Sequence, residues 1–471
     1  MVTDLVDAVI IGGGPAGQLA ATTASEAGLR TVLIEQERHA GGECVRRGTI
    51  PSKTLRETAL ALSVFKSRTG GVVDVTLGQH VQLESLMTRK EQVIDAHHGF
   101  IKAELETSRV EVWHGRARFV APKELEVTAP RGGLRRVSAK LIVIATGSRP
   151  RTPPDVPVDH EHVLDSDSML SITWLPRSLT VLGSGVIASE YASVFAALGV
   201  SVTMIDRAPR PLGFLDDELT GAFVTAFSAA GATFIGERKV SSVQWNGIDA
   251  VETTLDDGRV IRSEKLLCAL GRVANVEGLE LAAAGLSTNA RGLIEVDKHL
   301  QTKVEGVFAV GDVIGPPSLA STSMEQGRRA VRHFLGHPVG PNPELLPAGV
   351  YTIPELSCVG LTEAQARQRD ANVIVGRAPY SRLARGQISA APNGLLKLVC
   401  DSEGKKLLGV HVIGEGAAEL VHLGQLAMLG DLSVDTFVDG IFNFPTLAEA
   451  YRVAGLEVVR RRQRRPLTSA A

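Results

Sequence analysis

Aromatic residues are scarce: 13 Phe, 4 Tyr and 3 Trp among 471 residues. Long apolar runs are missing, and none approaches the ~18 residues of a membrane-spanning helix. No membrane partner is expected. Neither sign of charge dominates, because 50 Lys plus Arg face 52 Asp plus Glu and leave a formal net charge of -2. Such a balance supplies no field for a polyanion, so nucleic acid is excluded as the default partner. Only four cysteines occur, Cys44, Cys268, Cys358 and Cys400, with no CxxC pair and no secretory framework. A reducing compartment, and hence a cytoplasmic location, is the expectation. The first residues, MVTDLVDAVIIGGG, carry Asp4 and Asp7 where a signal peptide needs positive charge, and they read as a strand. The 12 His show no ligand spacing, and no metal is expected.

Glycine is abundant: 48 residues, about one in ten against a usual ~7%. With 44% hydrophobic and 22% charged residues the chain is a folded one, and at roughly 150 residues per domain its length suggests about three domains. The glycines mark where strands turn into helices. Residues 6–11 (VDAVII) form a short buried run that meets Gly12, Gly13 and Gly14; Ala16, Leu19, Ala20, Ala24 and Ala27 then recur at helical spacing, and TVLIE (31–35) is a second strand. That is a βαβ unit. It recurs as LTVLG (179–183), GSGVIASE with Ile187, Tyr191, Val194, Phe195 and Leu198 on one helix face, and SVTMID (201–206). KLIVIATG (140–147) and KLLCALG (265–271) add a later strand to each unit, so the copy near residue 180 reads as a shorter version of the one at the start of the chain. Pro-rich joints at 148–157 and 336–347 separate these units from a C-terminal region of strands and helices that has no nucleotide motif.

The turns carry chemistry. A dinucleotide pyrophosphate needs backbone N–H groups and a helix N-terminus at close range, which residues without a Cβ permit. Gly12, Gly14 and Gly17 supply this, and Glu35 at the next strand end can accept the ribose hydroxyls. Gly183, Gly185 and Ala188 repeat the arrangement with Asp206 as the acid. Asp206 favours a free 2'-hydroxyl, as in NAD(H). Arg207 and Arg210 follow at once and either could pair with the 2'-phosphate of NADP(H), or both could sit in solvent.

The segment GGECVRRGTIPSKTLRE (41–57), GVFAVGDV (306–313) and the second glycine turn together resemble the flavin-dependent pyridine nucleotide disulfide oxidoreductases. The resemblance spans essentially the whole chain. It implies an α/β fold with two Rossmann-like domains and a C-terminal α+β dimerisation domain: FAD-binding residues 1–150, NAD(P)-binding 151–277, a return to the FAD domain over 278–345, and an interface domain over 346–471. Around FAD it implies Gly12, Gly14, Gly17, Glu35, Gly42, Cys44, Gly115, Ala117, Ala145, Thr146, Gly147, Gly311, Asp312, Leu319 and Ala320. Around NAD or NADP it implies Gly183, Gly185, Ile187, Asp206, Arg207, Arg210 and Gly271. Lys53 and Glu190 match the ion pair beside flavin N5.

Two departures bear on activity. Dithiol members of the family carry a second cysteine where this chain has Thr49, and a catalytic histidine where it has Phe444; Glu449, which would orient that histidine, remains. The electron route to an external disulfide therefore lacks both its relay and its acid/base group, while Lys53 and Glu190 keep hydride exchange between flavin and nicotinamide. GTIPSK (48–53), DVIGPPSLAS (312–321) and FPTLAEAYRVA (444–454) resemble the soluble, Si-specific transhydrogenases within the family. That resemblance implies ping-pong hydride transfer from NADPH to NAD in one pocket of a homodimer or larger assembly. A reductase using a quinone, dye or oxygen, a lipoamide-dehydrogenase-like protein without dithiol activity, and a nucleotide-sensing flavoprotein are the alternatives. Cys268, Cys358 and Cys400 read as core residues, and RRRQRR (460–465) as a solvated helix end.

Overall fold

The computed structural model describes residues 3–69, 83–340, 344–391 and 393–464. Residues 341–343 of the second Pro-rich joint and Arg465 lie outside them. Contacts divide the chain into two compact units: Met1–Thr54, Glu84–Arg151 and Gly271–Asn342 form the first, and Leu55–Leu83, Thr152–Leu270 and Pro343–Ala471 the second. The chain re-enters the first unit at Gly271, earlier than the 278 expected from sequence, because Arg272–Ala274 pairs antiparallel with Ser148–Pro150. Among the described residues no helix is long and apolar enough to cross a membrane.

In the first unit, strand Thr3–Ile11 lies between Thr31–Glu35 and Leu134–Ile144, parallel to both. Its side chains alternate: Val9 and Ile11 pack with Val32, Ile34 and Phe119 on one face, and Ala8 and Ile10 with Leu33 on the other. Both faces are covered, which is why the sequence reads as continuous apolar runs. Helix Pro15–Glu26 buries Ala16, Ala20 and Ala24 on the second face. A Cβ at Gly327 of helix Ala320–Phe334 would stand 2.1 Å from the Ala16 carbonyl oxygen, so these helices cross in near backbone contact. Two long helices, Thr49–Thr69 and Leu83–Thr107, are not assigned by the sequence reading.

The second unit repeats the parallel arrangement. Ser178–Leu182 lies between Ser201–Ile205 and Lys265–Cys268 in a five-stranded sheet. Helix Val186–Ala197 differs from the expected one-sided stripe: Ala188 through Ala196 are all buried, including Glu190 and Ser193. The unit also holds a five-stranded antiparallel sheet, in the order Ala348–Val350, Leu356–Gly360, Leu407–Ile413, Leu395–Cys400, Ile374–Pro379. Helices Ala417–Leu429 and Glu449–Gln463 share its core through Val421, Tyr451 and Val458.

A charged cluster is buried at this sheet. Lys397, 2% exposed, places Nζ 2.8 Å from Asp216, 3.1 Å from Glu218 and 2.7 Å from Glu363. Arg377 bridges Glu218 and Glu363 at 2.9 Å each. Removing Lys397 alone would leave the buried Asp216 carboxylate without its countercharge, at a cost on the order of 3–5 kcal/mol. Burial pushes the Glu363 carboxyl up, but hydrogen bonds from Lys397 and Arg367 and the charges of Lys397 and Arg377 outweigh it and hold the group at about 2. Its folded value lies below its unfolded one, so this stabilisation is complete above the unfolded value and is lost as pH falls through the folded value. Glu363→Gln is therefore expected to lower the urea midpoint at neutral pH, with the difference from wild type vanishing as pH falls from about 4.5 toward 2.

Candidate active site

The two glycine turns are built alike. Gly12 has φ 102° and donates its N–H to Ile34 at 2.8 Å; Gly183 has φ 103° and donates to Ile205 at 2.9 Å. A Cβ at Gly12 would lie 2.5 Å from the Ala145 carbonyl oxygen, and one at Gly183 2.6 Å from that of Ala269. In each case the later strand closes over the turn. Gly14 and Gly185 start the following helices with no side chain on the first-turn amides. Unscreened N–H groups at a helix N-terminus with no Cβ in front of them suit a pyrophosphate. The turns differ at the third position: a Cβ at Gly17 would stand 1.9 Å from the Gly12 oxygen, whereas Ala188 is accommodated and fully buried.

The two acids behave differently. Glu35 accepts the Gly13 N–H at 2.7 Å and the Glu37 N–H at 2.9 Å, so it ties its strand end to the glycine turn. Burial raises its pKa against those two bonds. Among the described residues the Asp206 carboxylate accepts one hydrogen bond, from the Ala208 N–H at 2.8 Å, and the residue is half-buried. Arg210 is taken up by an ion pair with Asp217 and a bond to the Gly213 oxygen at 3.3 Å. Arg207 is exposed and has no hydrogen-bond or ion-pair partner among the described residues. Ile187 is half-buried beside Gly185, and Gly271 has φ 106°.

Within the first unit several expected residues converge. The half-buried Cys44 thiol is held above its ordinary value by desolvation, against the influence of Thr49 and the charge of Lys53, with the Asp312 carboxylate adding to the rise. Those four side chains thus share one environment. Asp312 accepts from the Ser148 hydroxyl at 2.7 Å, and Ser148 in turn accepts from Arg272 at 2.8 Å. Gly311 donates to Gln326 at 2.8 Å. The Ala145–Gly147 turn is locked by Asn275, whose side chain donates to Thr146 at 3.1 Å and whose N–H donates to Gly147 at 2.9 Å. Gly42 packs against Gly14, where a Cβ would come within 2.7 Å. Gly115 donates to the Glu35 carbonyl at 2.9 Å, Ala117 is buried in strand Arg116–Ala121, and Leu319 and Ala320 begin the helix after Asp312. Ser148, Arg272, Asn275 and Gln326 were not singled out from sequence, since polar residues outside the motifs give no periodic signal.

In the second unit Glu190, 7% exposed, accepts the Tyr351 N–H at 2.9 Å, and Ser193 accepts the Ile353 N–H at 3.1 Å. Glu190 is therefore a buried, oriented carboxylate rather than part of a solvated face. Phe444 is 68% exposed, and Glu449 accepts the Thr446 N–H at 3.4 Å. All four cysteines are free; Cys268 and Cys400 are buried, and burial pushes the half-exposed Cys358 up to about 11. At the arginine-rich end, Arg461 pairs with Glu457 and Arg462 with Asp435. Among the described residues no group of three or more His, Cys, Asp or Glu is placed to hold a metal ion.

Residues 6–327 match the model of the pyridine nucleotide-disulphide oxidoreductases, and residues 346–454 match that family's dimerisation domain. The chain belongs to this family. It is 42% identical over 454 residues to a protein of Mycobacterium bovis named soluble pyridine nucleotide transhydrogenase, covering 96% of this chain and 97% of that one. A protein of the same name from Colwellia psychrerythraea is 39% identical over 466 residues, covering 97% and 98%. Among solved structures, the HOCl-induced flavoprotein disulfide reductase RclA from Escherichia coli superposes with a TM-score of 0.86 at 28% identity, and LpdA from Mycobacterium tuberculosis with 0.88 at 26%; each comparison covers 96% of this chain and 99% of the other. The glycine cradle, the buried acid of the first turn and the Asp312 cluster fit the FAD of such oxidoreductases, and the second turn fits a pyridine nucleotide.

Proposed function

We propose that this chain is an FAD-dependent transhydrogenase that passes hydride from NADPH to NAD, reversibly and by a ping-pong scheme. The observation that carries this reading is Thr49, which opens the helix Thr49–Thr69 at the position where dithiol members of the family have their second sulfur. A hydroxyl cannot close a disulfide. Bound FAD supplies a site at N5 that accepts a hydride and returns it. The chain's residues do the rest. Gly12, Gly14 and Gly17 admit the FAD pyrophosphate to the helix N-terminus, Lys53 supplies positive charge to the flavin, and Glu190 is a buried carboxylate held by the Tyr351 N–H. Gly183 and Gly185 receive the pyrophosphate of either pyridine nucleotide, and Asp206 accepts from the adenosine ribose. Both nucleotides use one pocket in turn, which is the origin of ping-pong kinetics.

The test is anaerobic reduction of thio-NAD by NADPH with purified protein, with lipoamide, glutathione disulfide and a quinone assayed alongside. Parallel double-reciprocal lines with thio-NAD and no dithiol turnover are expected. Turnover of a quinone without thio-NAD reduction, or turnover of either disulfide, overturns the proposal.

Arg207 is proposed as the 2'-phosphate contact, because Arg210 is already neutralised by Asp217. Arg207→Ala is expected to raise KM for NADPH about tenfold or more and to leave KM for NADH within about twofold, read from initial rates. A homodimer is proposed from the exposed apolar side chains of the C-terminal domain, Leu426, Leu429, Ile441 and Phe444. Ile441, 99% exposed, has no role in the isolated chain that would favour an apolar side chain. Ile441→Asp is expected to shift the mass measured by light scattering from dimer or larger toward monomer.

A further inference from the structure

The segment from Asp206 to Asp216 joins the strand end that carries the proposed ribose carboxylate to helix Asp217–Ala229, and Arg207 is displayed on it. It is fixed locally by the Ala208 N–H on Asp206, the Arg238 and Glu237 N–H groups on the Asp206 and Ala208 oxygens at 3.1 and 3.2 Å, the Leu212 N–H on the Ser184 oxygen at 2.9 Å, and Arg210 on Gly213 and Asp217. Its far end is fixed from elsewhere. Asp216 accepts the Glu218 N–H at 3.1 Å, and the same oxygen receives Nζ of Lys397 at 2.8 Å, from strand Leu395–Cys400 of the antiparallel sheet. The second Asp216 oxygen accepts the Glu363 N–H at 3.1 Å. Asp216 and Lys397 are each 2% exposed, so this anchor is shielded from screening by solvent.

A loop whose far end is released samples more positions than one anchored there, and a ligand that must order it loses affinity. Holding both ends presents the guanidinium already in place. We propose that Lys397 is a positioning residue for NADP(H): by clamping Asp216 it fixes the loop that presents Arg207 to the 2'-phosphate, so a residue of the C-terminal sheet sets nucleotide selectivity. This rests on the reading of Asp206 and Arg207 as nucleotide contacts. Glu218 and Glu363 keep Arg377 as partner when Lys397 is lost, so charge is best removed in a matched pair.

The test is calorimetric titration of 2',5'-ADP and of 5'-AMP into FAD-loaded enzyme. For Lys397→Met combined with Asp216→Asn, 2',5'-ADP is expected to bind about tenfold more weakly and 5'-AMP less than about threefold, with flavin content unchanged. Lys397→Arg, whose guanidinium can reach the same carboxylates, is expected to keep the wild-type ratio. An unchanged ratio in the double variant overturns the proposal, and so does an equal loss of both ligands. If the double variant does not fold, Asp216→Asn alone is read by the same criterion. Arg207→Ala separates the two levels: if it leaves the ratio unchanged, the reading of Arg207 has failed, whereas if it alone lowers the ratio, only the role of Lys397 has.

Discussion

Gly17→Ala is expected to purify without flavin. The added Cβ would stand 1.9 Å from the Gly12 oxygen and 3.4 Å from the Ala145 Cβ, both part of the frame that the proposed pyrophosphate site needs. No rotamer relieves a clash between a Cβ and a backbone oxygen, so either the turn opens or the helix moves away from it. Ala188 shows that the second turn tolerates the same methyl, which makes the contrast internal: Ala188→Gly is expected to leave nucleotide affinity nearly unchanged. Flavin absorbance per mole of protein, with circular dichroism to verify folding, checks both variants. A fully loaded Gly17→Ala protein would mean that the first turn does not receive the flavin nucleotide.

Lys53→Met is expected to retain flavin and to be reduced by NADPH about 10²–10³ times more slowly, the scale of losing one charge-stabilising group from a preorganised site. Methionine keeps the length and apolar stem of lysine, so packing in helix Thr49–Thr69 changes little while the charge near Cys44 disappears. Stopped-flow absorbance on mixing with NADPH gives the rate, and flavin content gives the control. A rate within about threefold of wild type would sink the assignment of Lys53 to N5. Cys44→Ser should separate the thiol from the ammonium, since the proposed route uses the first only for packing.

Much of the fold was legible because its signals are local. TVLIE reads as a short apolar run closed by an acid, and its range agrees with the structure residue for residue. The glycine turns were equally plain, since positive φ and close backbone approach leave few residue types available. In helix Val186–Ala197 the apolar face was visible and Glu190 stood out by its match to the family motif, but the burial of Glu190 and Ser193 was not, because their partners, Tyr351 and Ile353, lie some 160 residues away. The same holds for Lys397 with Asp216 and for Ser148 with Asp312: each pair is made by chain crossings that no window of sequence contains. Polar residues satisfied across such distances have neither period nor motif, and only coordinates reveal them.

The place where the chain leaves and re-enters its first unit has an evolutionary corollary. Arg151 donates its N–H to the Gly271 oxygen at 3.0 Å, next to the two short paired strands. The segment from 152 to 270 therefore begins and ends at neighbouring points of the first unit, while it shares a compact unit with residues 343–471. A substitute for it would have to bring its two ends equally close and also supply the carboxylates that Tyr351 and Lys397 meet at Glu190 and Asp216.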